Sequence, residues 1–404
     1  MKNFPYARTF LLGFGFFGIS LIWPIFNNYV PIFLNEFGLS ATLIGFVMTW
    51  DNYINMFVQP MVGARSDRTR TRFGRRKPWL MVGAPLAAFF FIFIPQVGGM
   101  AAMMFVVLLT NLSMALFRSP TVALLGDLFP ASQRSTANGI INLMGGIGAI
   151  LAFLVGGALY AVGRITPFVF GALVMLAAIS AVVLFVREPE TAASPVDEEK
   201  SSAGVLQNLR QVLQNSDRSG VYILLAILFW FTGYNAIDTW ISSFGKFTLG
   251  IDEGQMSMYS SALALSFVVF ALPGGIIASR FGRRRVILVG LSGLVLLCLY
   301  GLLVGNAVSL LLFLIPAGMF WALVNVNSLP MVYDVGGDER TGAFTGLYYL
   351  AASIAAIAGP QIMGFLIDLT GKNYRIMFIF AAIFMALAAW CMNQVHEKRA
   401  INTA

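Results

Sequence analysis

Histidine, cysteine and charge are all scarce in this 404-residue chain. The single histidine, His396, sits in the polar C-terminal tail, so no imidazole can relay protons inside an apolar segment or serve a catalytic triad. The two cysteines, Cys298 and Cys391, both fall within apolar runs, which excludes a disulfide framework. Charged residues are 11% of the chain and hydrophobic ones 58%, far too little polar surface to cover a water-soluble globule. No cluster of metal ligands and no phosphate-binding glycine loop entering a helix occurs, so the sequence calls for no cofactor and does not read as an enzyme or an ATP-driven pump.

What remains is apolar. About 20 mostly apolar residues span a bilayer, and twelve runs qualify, over 10–34, 41–63, 78–97, 101–126, 137–161, 166–187, 219–244, 255–279, 286–304, 307–333, 341–367 and 375–395. The first is long enough to span and lacks a small-residue cleavage site, so it reads as a span and not a signal peptide. The expectation is an all-α, multi-pass membrane protein.

The positive charge is concentrated. Gly63 to Lys77 reads GARSDRTRTRFGRRK, in which seven of fifteen residues are Arg or Lys, and a shorter echo, SRFGRRR, occupies Ser279 to Arg285. Such blocks cannot enter hydrocarbon and must be aqueous loops. In a soluble protein the net charge of +8 would suggest nucleic acid; here its distribution sets topology instead. With the Gly63 to Lys77 loop inside, 21 of the 26 Lys and Arg lie on that side, four lie opposite (Arg164, Lys246, Lys372, Arg375), and Arg118 alone falls within a span. The positive-inside rule then places both termini in the cytoplasm, in an inner membrane, and leaves nucleic acid with no role.

The echo also marks a repeat. Gly74 and Gly282 are 208 residues apart, Asp127 and Asp334 are 207 apart, and Arg134 and Arg340 are 206 apart. Near-constant offsets across different spans predict two bundles of six helices in parallel topology, over 1–187 and 219–404. The segment between them, 188–218, reads as an acidic linker followed by an amphipathic helix with Val205, Leu209, Val212 and Leu213 on its apolar face.

Polar residues inside spans are expensive and mark candidate sites. Span one carries Trp23, Pro24, Asn27, Asn28 and Pro31, a pattern that suits a kinked helix lining a cavity. Span two places Asp51, Asn55 and Gln59 four residues apart on one helical face. Asp51, a carboxylate at membrane depth, must be paired, hydrated or protonated, which makes it the first candidate for proton coupling. Span four sets Asn111 and Arg118 seven residues apart on one face. Arg118 needs an anionic partner, which Asp51, Asp238 or a substrate oxygen could supply, and a permanent ion pair fixing span four to span two is the structural alternative. In the second half, Trp230, Tyr234, Asn235 and Asp238 lie in span seven, and Trp321 and Asn325 in span ten. The amides either bind a solute or simply join helices. Gly148, Ala152 and Gly156 in span five form a small-residue stripe for close helix packing.

The basic loops carry a resemblance to the major facilitator superfamily, whose loop between spans two and three has a pattern like G-x-x-x-D-R-x-G-R-R. The first copy keeps Gly63, Asp67, Arg68, Gly74, Arg75 and Arg76, with TRTRF inserted before the second glycine. That longer form, preceded by VQPMVG and followed by KPW, resembles sucrose transporters and the related glycoside, pentoside and hexuronide cation symporters. The resemblance implies a major facilitator fold of twelve helices in two six-helix bundles, and alternating access. It also implies a charged gate built on Asp67 and the loop arginines, to which Asp127, Arg134, Arg280, Gly282, Arg283, Asp334 and Arg340 are the added candidates. Two positions depart from the pattern. Melibiose-type symporters bind their cation with acidic residues where this chain has Asn55 and Gln59, and neutral amides make poor sodium sites. The span-four arginine of sucrose transporters aligns with Val122, one turn from Arg118.

The expected function is proton-coupled import of a sugar or glycoside, such as sucrose or maltose, by a monomer in the bilayer. Its expected polar contacts are Asn27, Asn28, Asn55, Gln59, Asn111, Asn235 and Asn325, and its aromatic platforms Trp23, Trp230, Tyr234 and Trp321. Proton coupling falls to Asp51, Arg118 and Asp238. The rival readings are a carrier of amphiphiles, exporting drugs or moving lysolipids, and a membrane sensor that does not transport.

Overall fold

Backbone polar groups in hydrocarbon must be satisfied within their own segment, and helices achieve this. The computed structural model describes residues 5–188, 210, 212, 218–336 and 341–396; thirteen α-helices and one 3-10 turn form its regular structure, with no strand among the described residues. The first half contains α1 (Tyr6–Glu36), α2 (Ala41–Met48), α3 (Trp50–Arg68), α4 (Lys77–Phe93) with the turn Ile94–Gln96, α5 (Met100–Leu128), α6 (Ala131–Tyr160) and α7 (Thr166–Phe185). The second contains α8 (Ser219–Phe247), α9 (Glu253–Phe281), α10 (Arg283–Gly301), α11 (Ala307–Gly336), α12 (Thr341–Leu369) and α13 (Ile376–Asn393).

Among the described residues, eleven helices are long and apolar enough to cross a membrane singly. The twelfth crossing corrects an expectation. The run over 41–63 is not one helix: α2 ends and α3 begins at Thr49, whose φ of −101° and ψ of 3° leave the helical region. The cause is local competition for the backbone, since the Thr49 hydroxyl donates to the Phe46 carbonyl at 2.9 Å and Asn52 N–H donates to the Thr49 carbonyl at 3.1 Å. The break leaves Asp51 in the first turn of α3, where unpaired N–H groups favour a carboxylate.

Helix α1 runs unbroken through Pro24 and Pro31. It is largely buried, and its partly open positions include Phe16, Ser20, Trp23 and Asn27, a stripe along one face. It packs on α6 and α7. Lipid tails are as apolar as the side chains, so this packing rests on close van der Waals fit and not on hydrophobic burial. The α6 glycines provide that fit: a Cβ on Gly148 would lie 2.7 Å from the Phe17 carbonyl oxygen, and Tyr29 donates to the Gly156 carbonyl at 3.3 Å.

Two compact units result, one of Met1–Pro195 with Ser242–Ala264, the other of Val196–Ile241 with Leu265–Ala404. In the first, the segment 242–264 packs on α1 and α6 through Ser257 Oγ to the Phe153 carbonyl at 3.0 Å and Asn28 Nδ2 to the Glu253 carbonyl at 3.5 Å. Gly157 and Gly254 meet there backbone to backbone, since a Cβ on Gly157 would lie 2.5 Å from the Gly254 carbonyl oxygen. The second unit is built around Trp230, Trp321, Leu291, Val324 and Met331. Of the amphipathic linker helix, Val205, Leu209 and Leu213 lie outside the described residues; Val212 is buried in the core of the second unit.

Candidate functional site

The basic loop folds into a charge cluster within the first unit. Gly74 has φ of +106°, a left-handed conformation open to glycine, and the turn it makes aims three successive backbone N–H groups at Glu188, just past α7. Arg75 N–H donates to Glu188 Oε2 at 2.7 Å, Arg76 N–H at 3.1 Å, and Lys77 N–H to Oε1 at 2.8 Å. Glu188 thus caps α4, whose own N-cap residue, Arg76, provides no side-chain cap. The guanidinium groups turn the other way. Arg75 Nη2 lies 2.6 Å from Asp127 Oδ1, and Arg76 Nε lies 3.1 Å from Asp127 Oδ2. Arg76 also pairs with Asp67 and donates to Ser66 Oγ, while its Nη1 reaches the Gly63 carbonyl at 3.5 Å. Arg76 is 4% exposed, so its charge is held by Asp67 and Asp127 and not by water.

Deeper in the same unit lie the polar residues of α1, α3 and α5. Asn55 and Gln59 satisfy each other, with Gln59 Nε2 donating to Asn55 Oδ1 at 2.6 Å. Arg118 on α5 lies over the Trp23 ring, 5.9 Å from its centroid. Asp51 is the charge that acts on Arg118 electrostatically, yet among the described residues no carboxylate comes within 4.0 Å of that guanidinium. Several polar atoms here are buried without a hydrogen-bond partner: Trp23 Nε1, Asp51 Oδ1 and both amide atoms of Asn111.

The second unit has its own group. Tyr234 and Trp321 stack with centroids 4.0 Å apart and planes 6° from parallel. Asp238 lies one turn beyond Tyr234 on the same face of α8. Asn235 donates to the Phe231 carbonyl of its own helix at 2.7 Å, and Trp230 is fully buried in the core. Asn325 is half-buried, while Ser328 one turn on lies 3.0 Å from the Tyr348 hydroxyl. The repeat extends to the charges: Gly282 has φ of +91°, and Arg283 Nη1 lies 2.5 Å from Asp334 Oδ2, matching Gly74 and the Arg75–Asp127 pair.

The pattern that defines the Major Facilitator Superfamily matches residues 9–259 and 246–400. The chain belongs to the major facilitator superfamily. It is therefore a membrane transporter and not an enzyme. Multidrug resistance protein 1 of Bacillus subtilis (strain 168) is 26% identical over 383 residues, 92% of this chain and 91% of that protein. Sucrose transport protein SUC3 of Arabidopsis thaliana is 27% identical over 161 residues, 34% of this chain and 27% of that one. Among solved structures, the nucleoside transporter NupG superposes with a TM-score of 0.76 at 16% identity, over 96% of this chain and 100% of that one.

Within this major facilitator protein the structure groups the expected gate residues Gly63, Asp67, Gly74, Arg75, Arg76 and Asp127, and separately Gly282, Arg283 and Asp334. Arg68 and Arg280 are exposed. Arg340 and the Arg134 side chain lie outside the described residues. Asn27 stays half-buried beside Trp23, whereas Asn28 is 4% exposed and turned to Glu253. Glu188 is the residue that sequence reasoning missed. It lies at the start of what reads as a linker, and only the turn at Gly74 brings the N–H groups of Arg75, Arg76 and Lys77 to it. A glutamate closing the last polar edge of span six was the available signal.

Proposed function

We propose that this transporter imports a sugar or glycoside together with protons, working as a monomer with both termini on the cytoplasmic side of an inner membrane. The observation that carries this reading is the set of unsatisfied polar atoms on α1, α3 and α5 of the first unit. A buried donor or acceptor without a partner costs about 1–3 kcal/mol, and four such atoms lie on Trp23, Asp51 and Asn111. A hydroxyl-rich solute brings donors and acceptors for them, and the Trp23 ring offers a face for the C–H side of a pyranose. The stacked Tyr234–Trp321 pair beside Asp238 supplies the same combination in the second unit. The SUC3 similarity supports a sugar over one third of the chain. Asp51 is the proton-coupling residue of this reading, and the neutral Asn55–Gln59 pair argues against sodium.

The test uses the purified protein in proteoliposomes under an imposed pH gradient, with labelled sucrose and maltose. The wild type accumulates sugar. Asp51→Asn loses accumulation but keeps exchange, because the binding surface remains when the coupling proton is lost. Failure to take up any sugar sinks the reading, and sodium-driven uptake sinks its coupling.

A second reading, export of an amphiphilic drug, is favoured by the similarity to Multidrug resistance protein 1 along 92% of the chain. Stabilisation of the protein by a hydrophobic cation, with no response to any sugar, would select it.

A further inference from the structure

We propose that the solute carries an anionic group, a carboxylate or similar planar monoanion, which binds Arg118. The inference rests on the transport reading but not on the solute being a sugar. Arg118 sits in α5, the nineteenth residue of a 29-residue span, and its charge cannot be released to lipid. A guanidinium presents five N–H donors in a fork that matches a carboxylate. Among the described residues it has no carboxylate within 4.0 Å, and its nearest recorded partner is the Trp23 face at 5.9 Å. The other arginines of this unit that pair with carboxylates do so at contact distance: Arg75 with Asp127 at 2.6 Å and Arg164 with Glu36 at 2.5 Å. Arg118, inside the span, has no such pair.

Its surroundings fit a solute anion better than a displaced internal partner. Asp51 acts on Arg118 from beyond contact distance, from the first turn of α3. Asn111, two turns before Arg118 on the same face, leaves its amide donor and acceptor unused. Trp23 Nε1, on the ring that Arg118 covers, is an unused donor too. A cation with a bidentate fork and, on the ring that it covers, a free indole N–H suit a group with several acceptor oxygens and one negative charge. A neutral sugar would use the indole but leave the guanidinium uncompensated.

The test compares matched solutes that differ in the carboxylate: D-glucose with D-glucuronate, and D-galactose with D-galacturonate, at constant ionic strength. Binding is read as thermal stabilisation of the purified full-length protein, and transport as counterflow in proteoliposomes. The wild type should respond to the acid of each pair at concentrations about ten- to a hundredfold below the neutral sugar, the range expected for a charge-assisted bond. Arg118→Gln should lose that preference, and Arg118→Lys, which keeps the charge without the fork, should retain part of it. Equal response of the wild type to both members of each pair overturns the proposal without any variant and leaves the sugar reading standing. An Arg118-dependent response to lactate or acetate, with none to any sugar or sugar acid, upholds the anion site and removes the sugar reading.

Discussion

Replacing Glu188 by glutamine tests whether the basic loop is held by a helix cap. The carboxylate accepts from the backbone N–H groups of Arg75, Arg76 and Lys77 at 2.7, 3.1 and 2.8 Å. Glutamine has nearly the same shape but one acceptor oxygen, and it turns an NH2 toward donors that it cannot serve. Loss of an N-cap costs about 1 kcal/mol, and loss of a negative charge at a helix N-terminus about 0.3–1 kcal/mol more. The side chain is half-buried, so the charge contribution is screened in part, and about 1.5–2 kcal/mol is expected in total. That is a ten- to thirtyfold rise in the open population of this turn, at about 1.4 kcal/mol per tenfold. Amide hydrogen exchange in the peptide spanning Arg75–Lys77 reads it directly and should quicken by that factor, with the peptides of α10 unchanged. Gly74→Ala should act in the same direction, because its Cβ would stand 2.6 Å from the Glu188 carboxyl carbon and φ at that position is +106°. Exchange within twofold of the wild type in Glu188→Gln would refute the capping argument.

Three further outcomes follow from the geometry. Asp67→Asn removes one of the two carboxylates on Arg76 while Asp127 remains; because Asp67 is 46% exposed, the loss is about 1 kcal/mol, read as a several-fold shift toward open states in spin-label distances across the basic-loop end, and an unchanged distribution counts against a gating role. Gly157→Val places a branched side chain where even a Cβ would stand 2.5 Å from the Gly254 carbonyl oxygen, so solute exchange should slow at least tenfold while the protein still folds; normal exchange would mean that this backbone contact is not part of the cycle. A cysteine at the exposed Phe73 should react with membrane-impermeant thiol reagents only in opened cells, and labelling of intact cells would reverse the assigned orientation.

The sequence alone settled the class and the repeat, because both rest on composition and spacing. Twelve apolar runs can only be membrane spans, and a left-handed glycine followed by arginine, with an aspartate some fifty residues later, recurred as a geometric pair at Arg75–Asp127 and Arg283–Asp334. The facing of Asn55 and Gln59 was legible too, since i and i+4 are neighbours on any helix. Tertiary structure decided the rest. The break at Thr49 depends on which acceptor its hydroxyl chooses, and a run of hydropathy carries no record of that choice. Glu188 becomes a cap because α7 ends beside the turn at Gly74, 114 residues earlier in the chain. Whether Asp51 touches Arg118 or only attracts it depends on a separation of a few ångströms between α3 and α5. Spacing within each helix fixes which face a residue occupies, but the distance between faces is set by the side chains packed between them.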